Sequence, residues 1–160
     1  MKKHTLAVTV ENRPGVLTRV TTMFRRRGYN IESLAVGATE NPAISRITIE
    51  VTGDERIIEQ VTKQLYKLVE VIKINDLTDA RSVDRELVLI KVKADNSVRA
   101  DIVQIVDIFR ARIVDIGRDS LIIEVTGDSR KIEAIEDSLR AFGIIEMVRT
   151  GKIAMIRGGK

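Results

Sequence analysis

The sequence contains no cysteine and no tryptophan, and its only histidine is His4. A chain without cysteine forms neither a disulfide nor a thiolate metal site. With one histidine and no cysteine, the usual nucleophile–base pairs cannot be built. No nucleophile elbow, phosphate-binding P-loop or dinucleotide-binding glycine motif is present either. The sequence therefore predicts no catalytic residue and no metal site, and we expect His4 to be a solvated strand residue.

Long apolar runs are also absent. No run approaches the roughly 20 apolar residues that a membrane-spanning helix needs, and no secretory signal is recognised at the N-terminus. The lack of cysteine fits a reducing compartment. We therefore expect a cytoplasmic protein that has no membrane partner.

Aromatic residues make up only 3% of the chain, although the net charge of +4 could favour nucleic acid. The tightest basic cluster, residues 25–27, closes a predicted helix, where cations complement the helix dipole. The predicted strands contain no aromatic side chain that could stack on bases. These features predict that nucleic acid is not a partner.

The chain instead contains an internal repeat. Residues 49–54 read Ile-Glu-Val-Thr-Gly-Asp and return at 123–128, and Phe-Arg-Arg-Arg at 24–27 is echoed by Phe-Arg-Ala-Arg at 109–112. Such self-similarity indicates two copies of one structural unit. The hydrophobic periods alternate between two and about 3.6 residues in the order βαββαβ within each half. The predicted strands are 4–10, 30–37, 44–52, 69–75, 86–94, 112–117, 120–126 and 145–156, and the predicted helices are 14–27, 54–67, 97–110 and 129–141.

This order predicts an α+β fold of two tandem ferredoxin-like domains, each with both helices on one face of an antiparallel sheet. A polar stretch around residues 76–85 breaks the periodicity. We therefore predict domains at 1–77 and 86–160 that are joined by a linker at 78–85. Each half is near the size, about 60–80 residues, at which one core barely suffices, and its edge strands are open. We therefore expect the two halves of the chain, or two chains, to pair.

The first strand is followed by residues 11–17, Glu-Asn-Arg-Pro-Gly-Val-Leu. Asn12 is a residue type that caps helices, and Pro14 suits a first helical turn. Gly15 has no Cβ, so another group can approach the backbone there. Free amides at a helix start attract an anion such as a carboxylate. By itself, this spacing is more typical of simple strand-to-helix punctuation than of a ligand site.

The loop at 12–17, together with residues 27–34, Arg-Gly-Tyr-Asn-Ile-Glu-Ser-Leu, resembles an ACT domain. More narrowly, the chain resembles the small regulatory subunits of acetohydroxyacid (acetolactate) synthases. The similarity includes Ser45 and Arg46 before a strand and continues past the linker through residues 85–87 and 108–110. It covers essentially the whole chain. The first half is thus identified as an ACT domain.

This resemblance implies a regulatory subunit that binds a large catalytic subunit, raises its activity and confers feedback inhibition by L-valine. The catalytic partner of such a subunit uses thiamine diphosphate, a divalent metal and usually FAD, and the resemblance implies that this chain binds no cofactor itself. The reaction condenses pyruvate with pyruvate or 2-oxobutyrate on the route to branched-chain amino acids.

The resemblance also implies that valine binds between two ACT domains of a homodimer. The implied contacts are Asn12, Gly15, Val16 and Leu17 from one chain, with Asn30 and Ile31 from the other. The second half reads Ala-Asp-Asn-Ser-Val at the corresponding loop, residues 94–98. It is therefore expected to keep the fold without the ligand site.

Two other interpretations remain open at this stage. The chain could be an amino-acid-sensing module of another pathway, which co-purification with a thiamine-dependent enzyme would distinguish. A ferredoxin-like RNA-binding protein is the second alternative. Salt-dependent binding to single-stranded RNA would revive it.

Overall fold

The computed structural model describes residues 2–158 and divides the chain into two compact units. The first unit contains the chain up to Val83 together with the segment from Lys152 onward. The second unit contains Asp84–Gly151. The elements in chain order are β1 (Lys2–Glu11), α1 (Val16–Arg26), β2 (Ile31–Ala38), β3 (Ile44–Gly53), α2 (Glu55–Tyr66), β4 (Val71–Asp76), β5 (Ser82–Lys93), α3 (Arg99–Ile108), β6 (Arg112–Ile116), β7 (Ser120–Gly127), α4 (Ser129–Arg140), β8 (Ile144–Arg149) and β9 (Ile153–Ile156).

The first unit contains an antiparallel sheet with the strand order β2-β3-β1-β4. Leu6 lies opposite Ile49 and Val8 lies opposite Ile47, so the apolar positions of the two central strands share one face. Helices α1 and α2 cover that face, because every third or fourth residue of each helix is apolar. The buried core consists of Leu6, Val8, Val10, Val16, Val20, Phe24, Ile47, Ile49, Val51, Ile58, Val61 and Leu65.

The second unit repeats this arrangement, with the strand order β6-β7-β5-β8. Ile90 of β5 lies opposite both Ile123 and Met147, which places these three side chains on one face. Helices α3 and α4 contribute Ile102, Val106, Ile132, Ile135 and Leu139 to the core on that face. The predicted tandem ferredoxin-like α+β fold is confirmed.

The repeated Thr-Gly-Asp sequence begins the second helix of each unit in the same way. The Asp54 side chain accepts a hydrogen bond from the Ile57 amide at 2.9 Å, and Asp128 accepts from Lys131 at 3.0 Å. Each aspartate satisfies one of the amides that a helix start leaves without a partner. No helix of residues 2–158 has the length and apolar character needed to cross a membrane.

The end of the chain differs from the prediction of one strand at 145–156. Strand β8 ends at Arg149 and β9 begins at Ile153, with Gly151 between them at φ +91°. A positive φ is a conformation that glycine adopts without steric cost, so the chain turns there. The division into functional domains at 1–77 and 86–160, with a linker at 78–85, stays a prediction. In the division into compact units, however, the segment that begins at Lys152 belongs to the first unit.

His4 is buried, so the expectation of a solvated histidine was wrong. Its Nε2 lies 3.1 Å from the carbonyl oxygen of Gly53, at the far end of β3, and its Nδ1 lies 3.3 Å from the Thr78 hydroxyl. The ring is buried because β1 is a central strand, and residues after β4 return beside its first residues. The Leu77 amide donates to the carbonyl oxygen of Thr5 at 2.8 Å in the same region.

Candidate functional site

The loop between β1 and α1 leaves several amides of the helix start unpaired. The residue before the helix is Gly15 at φ +84°, and no side chain caps the helix. The Val16 amide makes a long hydrogen bond of 3.4 Å to the Arg13 carbonyl oxygen. Within residues 2–158, the amides of Gly15, Leu17 and Thr18 have no hydrogen-bond acceptor. Such amides, with the positive end of the helix dipole, form a suitable environment for a carboxylate.

Gly15 is exposed, and an ideal Cβ built on it would meet no heavy atom within 4 Å. A small molecule can therefore reach this part of the backbone. The neighbouring Leu17 side chain is 40% exposed, although it belongs to a helix whose apolar residues otherwise face the core. Loop and helix together present free amides beside an exposed apolar side chain.

Asn12 does not cap α1, which corrects the sequence prediction. Its side-chain Nδ2 donates to the Pro42 carbonyl oxygen at 2.9 Å, and its backbone amide donates to Ala43 at 2.8 Å. The helix begins only at Val16, and Asn12 turns toward the β2–β3 connection instead. With Nδ2 engaged, the Oδ1 atom of Asn12 has no donor within the described residues and can accept one from a ligand.

Arg13 points outward and forms a surface ion pair. Its Nε lies 3.1 Å from a carboxylate oxygen of Glu11. Exposed pairs of this kind contribute little to stability, about 0–1 kcal/mol. Arg13 therefore faces solvent and does not point toward the free amides.

Asn30 and Ile31 lie at the opposite end of the same sheet. Ile31 pairs with Val51, which pairs with His4, whereas Glu11 pairs with Ile44. Positions 4 and 11 of β1 are seven residues apart, which corresponds to roughly 23 Å along a strand. One chain therefore does not bring the two groups of predicted ligand residues together.

The beginning of β2 contains a β-bulge that the sequence analysis did not predict. The pairing of β2 with β3 shifts register between Ile31 and Ser33. The Glu32 carboxylate accepts hydrogen bonds from the Asn30 side chain at 3.1 Å and from the Thr52 hydroxyl at 3.2 Å. Bulges redirect side chains and are frequent beside binding sites. Here the bulge and Glu32 together fix the orientation of Asn30.

Glu70 is a second residue that sequence reasoning missed. Its side chain is buried, one carboxylate oxygen is paired with Arg19 of α1, and the other has no hydrogen-bond partner within residues 2–158. Its backbone carbonyl oxygen accepts from the Glu11 amide at 2.9 Å. Glu70 thus connects the start of β4 both to the loop and to the helix. Nothing in its local sequence distinguishes it from a surface glutamate.

In the second unit, a side chain of the corresponding loop accepts hydrogen bonds from the loop itself. Asp95 accepts hydrogen bonds from both the hydroxyl and the amide of Ser97, the latter at 2.9 Å. These bonds hold the pKa of the Asp95 carboxyl below its ordinary value. A carboxylate of the chain therefore already lies against an amide of this loop, whereas the amides of Gly15 and Leu17 in the first unit are open.

The described residues contain no group of three or more histidine or acidic side chains placed to hold a metal ion. The free amides at the start of α1 and the exposed Leu17 beside them are chemically suited to a small anion with an apolar part.

Comparison with known proteins matches both halves of the chain to families. Residues 6–73 match the family described as "AHAS small subunit-like ACT domain". Residues 85–158 match the family described as "Small subunit of acetolactate synthase". The two matches together cover nearly the entire chain.

Individual relatives are similar over their full length. A probable acetolactate synthase small subunit of Archaeoglobus fulgidus is 59% identical over 99% of both chains. The acetolactate synthase small subunit of Mycobacterium leprae is 51% identical over 97% of this chain and 92% of its own. The crystal structure of the acetolactate synthase small subunit from Thermotoga maritima has 43% sequence identity and a TM-score of 0.90, with complete coverage of both chains.

Proposed function

The chain belongs to the family of acetolactate synthase small subunits, and from this we propose that it activates a catalytic large subunit and makes it sensitive to feedback inhibition by L-valine. The observation that carries the proposal is similarity to small subunits across both units. The catalytic partner would supply thiamine diphosphate, a divalent metal and FAD, and this chain would bind none of them. Its place of action would be the cytoplasm.

A homodimer is part of this proposal. The open amides lie at one end of the sheet, and Asn30 and Ile31 lie at the other, so a complete site needs a second copy. In the proposed dimer, a two-fold axis would bring the loop of one protomer beside the start of β2 of its partner. The symmetry would then form the same site twice. Strand β2 is an edge strand, which leaves one side available for pairing.

In the proposed complex, the valine carboxylate binds the amides around Gly15 and Val16. The Asn12 Oδ1 accepts a hydrogen bond from the ammonium group, because the Nδ2 of Asn12 is already engaged by Pro42. The isopropyl group packs against Leu17 of one protomer and Ile31 of the other. Apolar walls discriminate by about 1–3 kcal/mol per methylene, so alanine should bind weakly rather than not at all.

Reconstitution with a large subunit of acetolactate synthase tests the proposed function. Acetolactate formation from pyruvate is measured with thiamine diphosphate, metal and FAD present, with and without L-valine, and D-valine serves as the control ligand. We expect no product from this chain alone, higher activity in the mixture than in the large subunit alone, and inhibition by L-valine only. A mixture that shows neither activation nor inhibition would contradict the proposal. Product formed by this chain alone would refute the non-catalytic assignment.

A further inference from the structure

The last part of the chain lies on the face of the first sheet that the helices leave uncovered. Residues 152–157, called here the C-terminal strap, contact residues that alternate along β1 and β3 with the core positions. Ala154 forms a small buried cluster with Ala7 and Leu77. The Arg46 guanidinium donates to the Ala154 carbonyl oxygen at 2.7 Å. The polar face of the sheet is therefore partly covered by the chain itself.

Lys152 makes two contacts at one point of this sheet. Its backbone amide donates to the Ser33 hydroxyl at 3.0 Å, and its Nζ lies 3.1 Å from a Glu50 carboxylate oxygen. Ser33 and Glu50 are direct partners across β2 and β3. The Lys152 and Glu50 side chains are only 15% and 14% exposed, so this pair is much less screened by water than a surface pair.

The location of these contacts relates the strap to the proposed ligand site. Ser33 is the first residue after the bulge, and Ile31 is the last residue before it. Strand β2 has β3 as its sole neighbour in the described sheet, so the register at the bulge is held from one side only. The strap adds a second set of contacts immediately beyond the bulge.

We propose that Lys152 is a positioning residue for ligand binding: through Ser33 and Glu50, the C-terminal strap fixes the bulge that presents Asn30 and Ile31 to the ligand. This inference rests on the proposed function, since it assumes that valine is bound there. The strap follows directly on Gly151, the last residue of the second unit. A partner that binds the second unit and shifts the strap would then change the ligand site, and by reciprocity the ligand would change the affinity of the second unit for that partner.

The two substitutions leave different groups without a partner. Removing the Lys152 charge leaves the largely buried Glu50 carboxylate without a counter-ion, which is costly in a partly buried setting. The Glu50 side chain would then move toward water, and strand β3 would lose its connection to the strap beside Ser33. Removing the Ser33 hydroxyl instead leaves the Lys152 amide without its acceptor.

The test uses the full-length chain and measures L-valine affinity by titration calorimetry. Its variants are Lys152→Gln, Ser33→Ala and the charge exchange Lys152→Glu with Glu50→Lys. Lys63→Gln is the matched control, because Lys63 is an exposed lysine paired with Glu59 on a helix surface. We expect valine affinity to fall about fivefold or more in Lys152→Gln and Ser33→Ala, the lower end of typical coupling between sites. The charge exchange should recover part of the loss, and Lys63→Gln should match the unmodified chain.

Each outcome decides between the two claims. Unaltered affinity in both Lys152→Gln and Ser33→Ala, with normal binding by the unmodified chain, would overturn the role of the strap and leave the proposed function standing. Absence of valine binding by the unmodified chain would overturn both. If Lys152→Gln fails to fold, Ser33→Ala decides, since it removes a single hydroxyl. A loss of affinity that the charge exchange recovers shows that the Lys152–Glu50 pair is responsible. Chemical denaturation of the same variants separates positioning from stability, because positioning predicts weaker binding by Lys152→Gln at a temperature where the variant is fully folded.

Discussion

The imidazole of His4 lies 3.1 Å from the carbonyl oxygen of Gly53, which joins the first strand of the chain to the last residue of β3. On the other side of the ring, Nδ1 faces the Thr78 hydroxyl. The Asp54 cap of α2 follows Gly53 directly. The only histidine of the chain thus connects β1, the end of β3 and the segment after β4.

Replacing His4 by phenylalanine should therefore destabilise the first unit. A ring of similar size remains, but the buried Gly53 carbonyl oxygen loses its donor, which costs about 1–3 kcal/mol. Chemical denaturation of the purified variants measures the change. Lys3→Ala is the control, since Lys3 is an exposed neighbour on the same strand and should change stability by less than about 0.5 kcal/mol. Equal stability of both variants would show that the His4 contact is not needed.

Substituting Gly15 by valine should abolish or strongly weaken valine binding. A β-branched residue is strained at the φ of +84°, by about 1–3 kcal/mol, and its side chain would occupy the space in front of the free amides. Gly143→Val is the matched control, because Gly143 also has a positive φ, +98°, but lies in the second unit. Calorimetry should show binding only in the control. Undiminished binding by Gly15→Val would place the ligand elsewhere.

Asn12→Ala should weaken valine binding while leaving the dimer folded. The variant loses the Oδ1 acceptor for the ammonium and the bond to Pro42, which held the side chain in place. The expected loss is about 0.5–1.5 kcal/mol of binding free energy, read from the valine concentration that half-inhibits the reconstituted enzyme. Asn96→Ala, in the corresponding loop of the second unit, should keep the unmodified sensitivity. A similar loss in both variants would argue against a site confined to the first unit.

Asp95 should lose its proton at a lower pH than an ordinary aspartate. Hydrogen bonds from Ser97 favour the charged form and depress the folded-state pKa. Their contribution to stability is therefore present above the unfolded-state pKa and is lost as the pH falls through the folded-state pKa. Carboxyl resonances recorded by NMR during acid titration measure this midpoint. In Ser97→Ala the Asp95 midpoint should rise toward its ordinary value, and an unchanged midpoint would refute the assigned cause.

The sequence by itself determined the repeated βαββαβ order. The alternation of Ile47, Ile49 and Val51 with polar residues, and the helical spacing after Asp54 and Asp128, are local patterns whose periods follow from backbone geometry. The Asp caps also depend on contacts within four residues. The sequence also predicted that another group can approach the backbone at Gly15, and no heavy atom lies within 4 Å of an ideal Cβ built there. That prediction depends only on the missing side chain of glycine.

Only the tertiary structure decided what distant residues do. Asn12 turns from the helix to Pro42, and His4 is buried against Gly53 rather than solvated. The contact of Lys152 with Ser33 joins residues 119 positions apart, and no local pattern specifies such a pairing. The separation of Asn30 from Asn12 likewise depends on strand order and register. Hydrogen bonds and burial depend on which atoms meet after the chain has folded, and that is set by the packing of whole elements.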